Sequence, residues 1–275
     1  MNKFFLGILT SVVFAPFMWS QEALFIPNDG QWEDSFSHKM PLKYGALFFK
    51  ENSIQIVLKD AEQIEDLHGH DVHQAGISHH DHSLKYHVLN MEFLGASKDK
   101  AVGYEKTNFT HNYFIGNEKS KWRSGVQPSQ KIKYSSLYKD AELDFYTHQG
   151  HLKYDWHLSN PNVLREIAWR YNGATSLEIN SEGCLLVHTS IGYFYESSPL
   201  SWGWKDGQRV DFGCWYELNQ GVISFGVEDV AYSLDSVVID PQLIFTSFSG
   251  SLTDNWGFTA TYDDQGRLYG GGVAF

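Results

Sequence analysis

Period-two alternation of apolar and polar residues, broken at short intervals by glycine-bearing turns, is the feature that most constrains this chain. Residues 53–58 (Ser-Ile-Gln-Ile-Val-Leu) predict a strand, and over 86–94 the side chains of His87, Leu89, Met91 and Phe93 share one face. Leu143, Phe145 and Thr147 alternate with Asp144 and Tyr146. The chain then turns at His148-Gln149-Gly150, and Leu152, Tyr154, Trp156 and Leu158 alternate with Lys153, Asp155 and His157, a hairpin pattern. Further strands are predicted around Ile167, Trp169 and Tyr171, over 184–189, around Trp202, over 210–218 and over 222–227, each separated by a turn sequence such as Asn172-Gly173 or Lys205-Asp206-Gly207.

Amphipathic helical windows are nearly absent, with 162–168 forming at most a short turn. Many short strands with glycine turns predict an all-β domain, either a β-sandwich or a distorted barrel of antiparallel strands. The 275 residues, 42% hydrophobic with 9 Trp, 15 Tyr and 19 Phe, supply a large core and argue against disorder or a coiled coil. A formal charge of −12 repels a phosphate backbone and so excludes a nucleic-acid partner.

Met1-Asn2-Lys3 followed by an interrupted apolar stretch and Ser20-Gln21 reads as a secretory signal peptide over residues 1–20, which implies export to the cell surface or medium. No later segment reaches the 18 or so apolar residues of a membrane helix. The β-domain then spans 21–242. Its boundary is expected at Val238-Ile239-Asp240-Pro241, where the proline stops the preceding strand. Residues 243–275 predict three more strands, at 243–248, 256–262 and 267–273, and end in mid-module. Repeat units need neighbours to bury their faces, so the chain is either a piece of a longer protein or its tail pairs elsewhere.

Five motifs in order carry a resemblance. Phe25-Ile26-Pro27-Asn28-Asp29-Gly30-Gln31-Trp32 resembles the opening of an uncharacterised N-terminal domain of bacterial surface proteins. Tyr113-Phe114-Ile115-Gly116-Asn117 with Lys121-Trp122, the run Tyr138 through Tyr146, Leu152-Lys153-Tyr154-Asp155-Trp156 and the closing Val238-Ile239-Asp240-Pro241 are similar to its later motifs. Asp140 stands where the motif has glycine. The stretch from Phe245 to Gly272 resembles a first SBBP-type β-propeller repeat, with Ser249-Gly250 in place of the double glycine. The resemblance implies a long, multidomain surface or secreted protein, exported by type IX secretion, with no established activity. Its partners would be other domains of the same chain or cell-surface components.

Four constellations bear on chemistry. His68, His70, His73, His79, His80 and His82 crowd a polar loop between two strands, and imidazoles can bind zinc, but the spacing matches no rigid tetrahedral motif and a solvated loop is the simpler reading. Glu142, Asp144 and Asp155 can face one another across the predicted hairpin, as glycoside-processing carboxylates do, although strand-face solvation explains them more simply. Trp202 and Trp204 share one face and, if exposed, could stack on glycans; burial in the core is the simpler expectation. Asp254, Asn255, Asp263 and Asp264 lie in turns that could hold calcium, yet match no EF-hand. Cys184 and Cys214 either form one disulfide, adding about 3 kcal/mol by closing a loop of about 30 residues, or remain two buried thiols. A nucleophile elbow, a zinc-protease helix and a phosphate loop are all missing. The sequence therefore predicts a non-catalytic, cofactor-free module that caps or presents propeller-type repeats, with glycan binding through Trp202 and Trp204, or metal binding through the loop histidines, as alternatives.

Overall fold

A computed structural model describes residues 24–33, 35–61, 63–64, 84–148 and 151–245, together with the backbone of 256–262 and 268–273. The expected signal peptide lies outside these residues. Antiparallel strands dominate. In chain order they are β1 (Ile26–Pro27), β2 (His38–Leu42), β3 (Gly45–Phe49), β4 (Ser53–Lys59), β5 (Tyr86–Phe93), β6 (Val102–Lys106), β7 (His111–Tyr113) and β8 (Arg123–Val126). There follow β9 (Ser129–Tyr138), β10 (Ala141–His148), β11 (His151–Leu158), β12 (Ala168–Asn172), β13 (Ser176–Ile179), β14 (Leu185–Thr189), β15 (Gly192–Glu196) and β16 (Leu200–Lys205). The last are β17 (Gln208–Asp211), β18 (Cys214–Asn219), β19 (Val222–Val227), β20 (Ser236–Asp240), β21 (Gln242–Phe245), β22 (Trp256–Tyr262) and β23 (Leu268–Val273).

Two large sheets result. The smaller has eight strands in the order β1-β2-β3-β4-β5-β12-β19-β18. The larger has eleven: β13-β14-β15-β21-β11-β10-β9-β6 form its main path, and β20, β16 and β17 branch from β11. Neither closes into a barrel, so the sandwich is the correct member of the expected pair. The hairpin read around 148–150 is present, with Leu143 opposite Trp156 and Phe145 opposite Tyr154.

The core lies between the sheets and is built from rings. Phe49 of β3 packs edge-on against Phe145 of β10 at 5.2 Å, and Phe93 of β5 meets Trp156 of β11 at 5.8 Å. Tyr171 of β12 meets Phe194 of β15 at 5.6 Å. Each such pair adds roughly 0.5–1.5 kcal/mol beyond the area it buries. The β9–β10 turn also explains Asp140. Its φ is 63°, a left-handed conformation that glycine favours and aspartate tolerates better than most residues.

An acidic side chain sits inside this apolar layer. Glu196, at the end of β15, is fully buried. Its carboxyl accepts hydrogen bonds from the hydroxyls of Tyr154 on β11, Tyr171 on β12 (2.6 Å) and Tyr216 on β18 (3.2 Å). Tyr154 belongs to the larger sheet and the other two tyrosines to the smaller one. Burial raises the Glu196 pKa, and the tyrosine hydroxyls oppose that rise.

The proline at 241 interrupts the ladder but not the path. Along β11, Leu158, His157 and Trp156 face Val237, Val238 and Ile239, while Lys153 and Leu152 face Gln242 and Leu243. The same register runs through both halves, so β20 and β21 form one line beside β11. Proline lacks the N–H that a central ladder needs. The expected strand end at Pro241 is therefore a gap in pairing rather than a change of direction.

Glu196→Ala should cost about 2–5 kcal/mol, because the buried Tyr154 and Tyr171 hydroxyls lose their acceptor. A urea titration checks this; a loss below about 1 kcal/mol would contradict the assignment.

Candidate functional site

The outer face of the larger sheet carries two parallel rows of polar residues. They arise from alternation alone: on β10 and β11, Leu143, Phe145, Tyr154 and Trp156 point into the core, which sends Asp144, Tyr146, Lys153 and Asp155 outward. Cross-strand register aligns them. Tyr104, Lys131, Tyr146 and Lys153 form one row over β6, β9, β10 and β11. The Lys131 ammonium lies 5.8 Å from the ring centres of both Tyr104 and Tyr146, and Lys153 lies 5.8 Å from Tyr146. Each cation thus sits against an aromatic face.

In the next row stand Lys133, Asp144 and Asp155, and the register beside β11 brings Asp240 opposite Asp155. Lys153 Nζ donates to Asp240 Oδ2 at 2.7 Å, with both side chains nearly buried, and the Tyr146 hydroxyl donates to Asp155 Oδ2 at 3.0 Å. The Oδ1 atoms of Asp144, Asp155 and Asp240 are buried without a donor. Burial, reinforced by the Asp240 charge, pushes the Asp155 pKa up to about 7. The same desolvation raises Tyr146 and Tyr104.

The expected meeting of Asp144 and Asp155 across the hairpin is thus present. Glu142 stands one row away, opposite His157, and pairs with Lys133 at 3.2 Å. His157 Nε2 lies 3.6 Å from Asp144 Oδ2. Tyr146 already occupies Asp155 Oδ2, and Lys153 occupies Asp240 Oδ2. Chemically, the row holds one carboxyl, that of Asp155, raised towards neutrality by burial.

Trp202 and Trp204 depart from the expected burial. Both lie on the outer face of β16, and Trp204 is 37% exposed. Gly203 between them explains the orientation. A Cβ on Gly203 would fall 2.4 Å from Ser236 O and 2.6 Å from Leu234 Cδ1, so the inward position admits no side chain. The Arg209 guanidinium covers Trp202 at 4.5 Å and donates to Asp211 at 2.9 Å. One stacking face of Trp202 is therefore taken.

Cys184 and Cys214 are unpaired thiols, and burial pushes Cys214 up to about 12. The six loop histidines, His68, His70, His73, His79, His80 and His82, and the turn residues Asp254, Asn255, Asp263 and Asp264, lie outside the described residues. Among the described residues no three His, Cys, Asp or Glu side chains are arranged to hold a metal ion, and no helix is long and apolar enough to cross a membrane.

Sequence reasoning missed Asp240 as a partner of this row, because its neighbours are remote in the chain. It also missed Trp215, which is 44% exposed on β18. Alternation within 214–218 carries the signal for Trp215, since Tyr216 points inward and its neighbours must point out.

Residues 25–242 match the family model described as a domain of unknown function, DUF7948. The chain belongs to this family. No curated protein and no solved structure matches it. The match covers both large sheets up to the first residue of β21, and so includes all three aspartates of the row.

The Asp155 shift fixes a pH dependence. A carboxyl raised in the folded state stabilises fully below its ordinary value near 3.8, and that contribution is lost as pH rises through about 7. Asp155→Asn keeps the acceptor for Tyr146 and removes the titrating carboxyl. Urea titrations at pH 5 and pH 8 should show the variant gaining on the parent by about 1–2 kcal/mol at the higher pH, with solvent screening taken into account. Equal pH slopes in the two proteins would refute the raised Asp155 carboxyl.

Proposed function

We propose that this domain is a non-catalytic structural module of an exported surface protein, and that it holds and presents the repeat-like segment that follows it. The observation that carries this reading is the place of β21. The chain's route towards β22 and β23 passes through a strand paired on both sides, with β11 at Leu152 and Lys153 and with β15 at Phe194, Tyr195 and Glu196. Leu243 is buried in the core, and Asp240 just before it is tied to Lys153. A force on the downstream segment must therefore shear a central strand rather than peel an edge.

The order of the five sequence motifs supports the rest of the reading: export through a cleaved signal peptide and type IX secretion, an SBBP-type repeat from 243 onward, and an adhesive role at the cell surface. The hairpin of Trp256–Tyr262 with Leu268–Val273 agrees with two of the three strands expected there. A second copy of the repeat pattern would pack on such a hairpin, as stacked units do.

The test is surface display. An epitope tag placed after residue 275 is followed by antibody labelling of intact cells of the native host. Leu243→Asp, which puts an unpaired carboxylate in the core, should reduce labelling of intact cells at least fivefold and release tagged fragments to protease. Undiminished display by a chain lacking residues 25–245 would overturn the presenting role.

A further inference from the structure

We propose that the cleft on the outer face of the smaller sheet, walled by Trp215 and by the Arg165–Tyr232 stack, is a binding site for neutral saccharide chains. The cleft has a volume of about 450 Å³, within the range of small-ligand sites. Its floor is made of small residues. On β19, Ser224 and Gly226 point outward, opposite Glu217 and Trp215 of β18. The absence of a side chain at 226 lets the indole lie down. A Cβ there would fall 2.1 Å from Trp215 Nε1 and 2.6 Å from Glu217 Oε1. Covering bare strand backbone accounts for one side of the ring, yet Trp215 remains 44% exposed.

The opposite wall is a second flat surface. The Arg165 guanidinium stacks at 3.7 Å on the Tyr232 ring, and Arg165 Nη1 donates to Asn162 Oδ1 at 2.7 Å. These residues come from two 3-10 helices, Pro161–Arg165 and Asp229–Ser233, that flank the strand pair. The carboxylates of Glu217 and Asp229 also line the cleft.

These groups select a chemistry. The negative face of an indole attracts the weakly positive C–H groups on one face of a pyranose ring, and carboxylates accept hydrogen bonds from its hydroxyls. Two carboxylates against one arginine already engaged elsewhere disfavour uronic and sialic acids. The chain's overall charge of −12 acts in the same direction. The site is independent of Trp202, whose face Arg209 covers, and does not rest on the presenting role.

The experiment is calorimetric titration of the intact chain with cellohexaose, mannohexaose and xylohexaose, with hexagalacturonate as the acidic counterpart. At least one neutral hexasaccharide should bind and the hexagalacturonate should bind at least tenfold more weakly. Trp215→Ala should weaken binding at least tenfold, and Gly226→Ala, which evicts the indole without removing it, should do likewise. Glu217→Gln, which leaves the platform intact, should weaken it severalfold, and Trp202→Ala should leave it within twofold. Unchanged thermal midpoints in Trp215→Ala and Glu217→Gln separate loss of the site from loss of the fold. No binding of any neutral hexasaccharide, or binding that survives Trp215→Ala, would overturn the proposal.

Discussion

The buried carboxyl of Glu196 is the interaction on which the sandwich turns. Apolar faces alone can slide over each other, since ring against ring is tolerant of small shifts. A carboxyl that takes hydroxyls from Tyr154 on one side and from Tyr171 and Tyr216 on the other is not. Moving either sheet by one residue would strand polar groups in an apolar layer, at a cost of several kcal/mol. Register between sheets is thus set by a polar group, while most of the stabilisation comes from the surrounding rings. The arrangement also places the end of β15 against β21, because Glu196 lies opposite Leu243 in the ladder.

The two faces of the larger sheet follow different rules. Inside, shape and area decide, and Phe145, Tyr154 and Trp156 fill the layer. Outside, the residues contact one another laterally, cation against ring in one row, and in the next three aspartates whose Oδ1 atoms are buried without a donor.

Much of this was legible in the sequence. The hairpin of β10 and β11 followed from alternation on both sides of His148-Gln149-Gly150, and with it the meeting of Asp144 and Asp155. That inference is local, and local pairing has few competitors. Asp240 was not legible as a third member, because it pairs with a strand whose Lys153 lies 87 residues away and alternation carries no strand order. Trp202 and Trp204 were expected in the core because the whole chain is rich in aromatic residues. The residue between them held the answer, since Gly203 occupies the inward position where Ser236 and Leu234 leave no room. Glu196 had a readable signal as well: it shares the phase of Phe194 on β15, so an acidic residue was bound to enter the core.

The position of β21 has a consequence for how the protein is made. Among the described residues, the β13–β14–β15 meander joins the rest of its sheet through β21. Until residues 242–245 have left the ribosome, β11 at Leu152 and Lys153 and β15 at Phe194 to Glu196 each present an unpaired edge. The sheet is closed by its last strand. Assembly of the domain therefore waits on the chain that comes after it, and for that interval two sticky edges must be kept from pairing with copies of themselves.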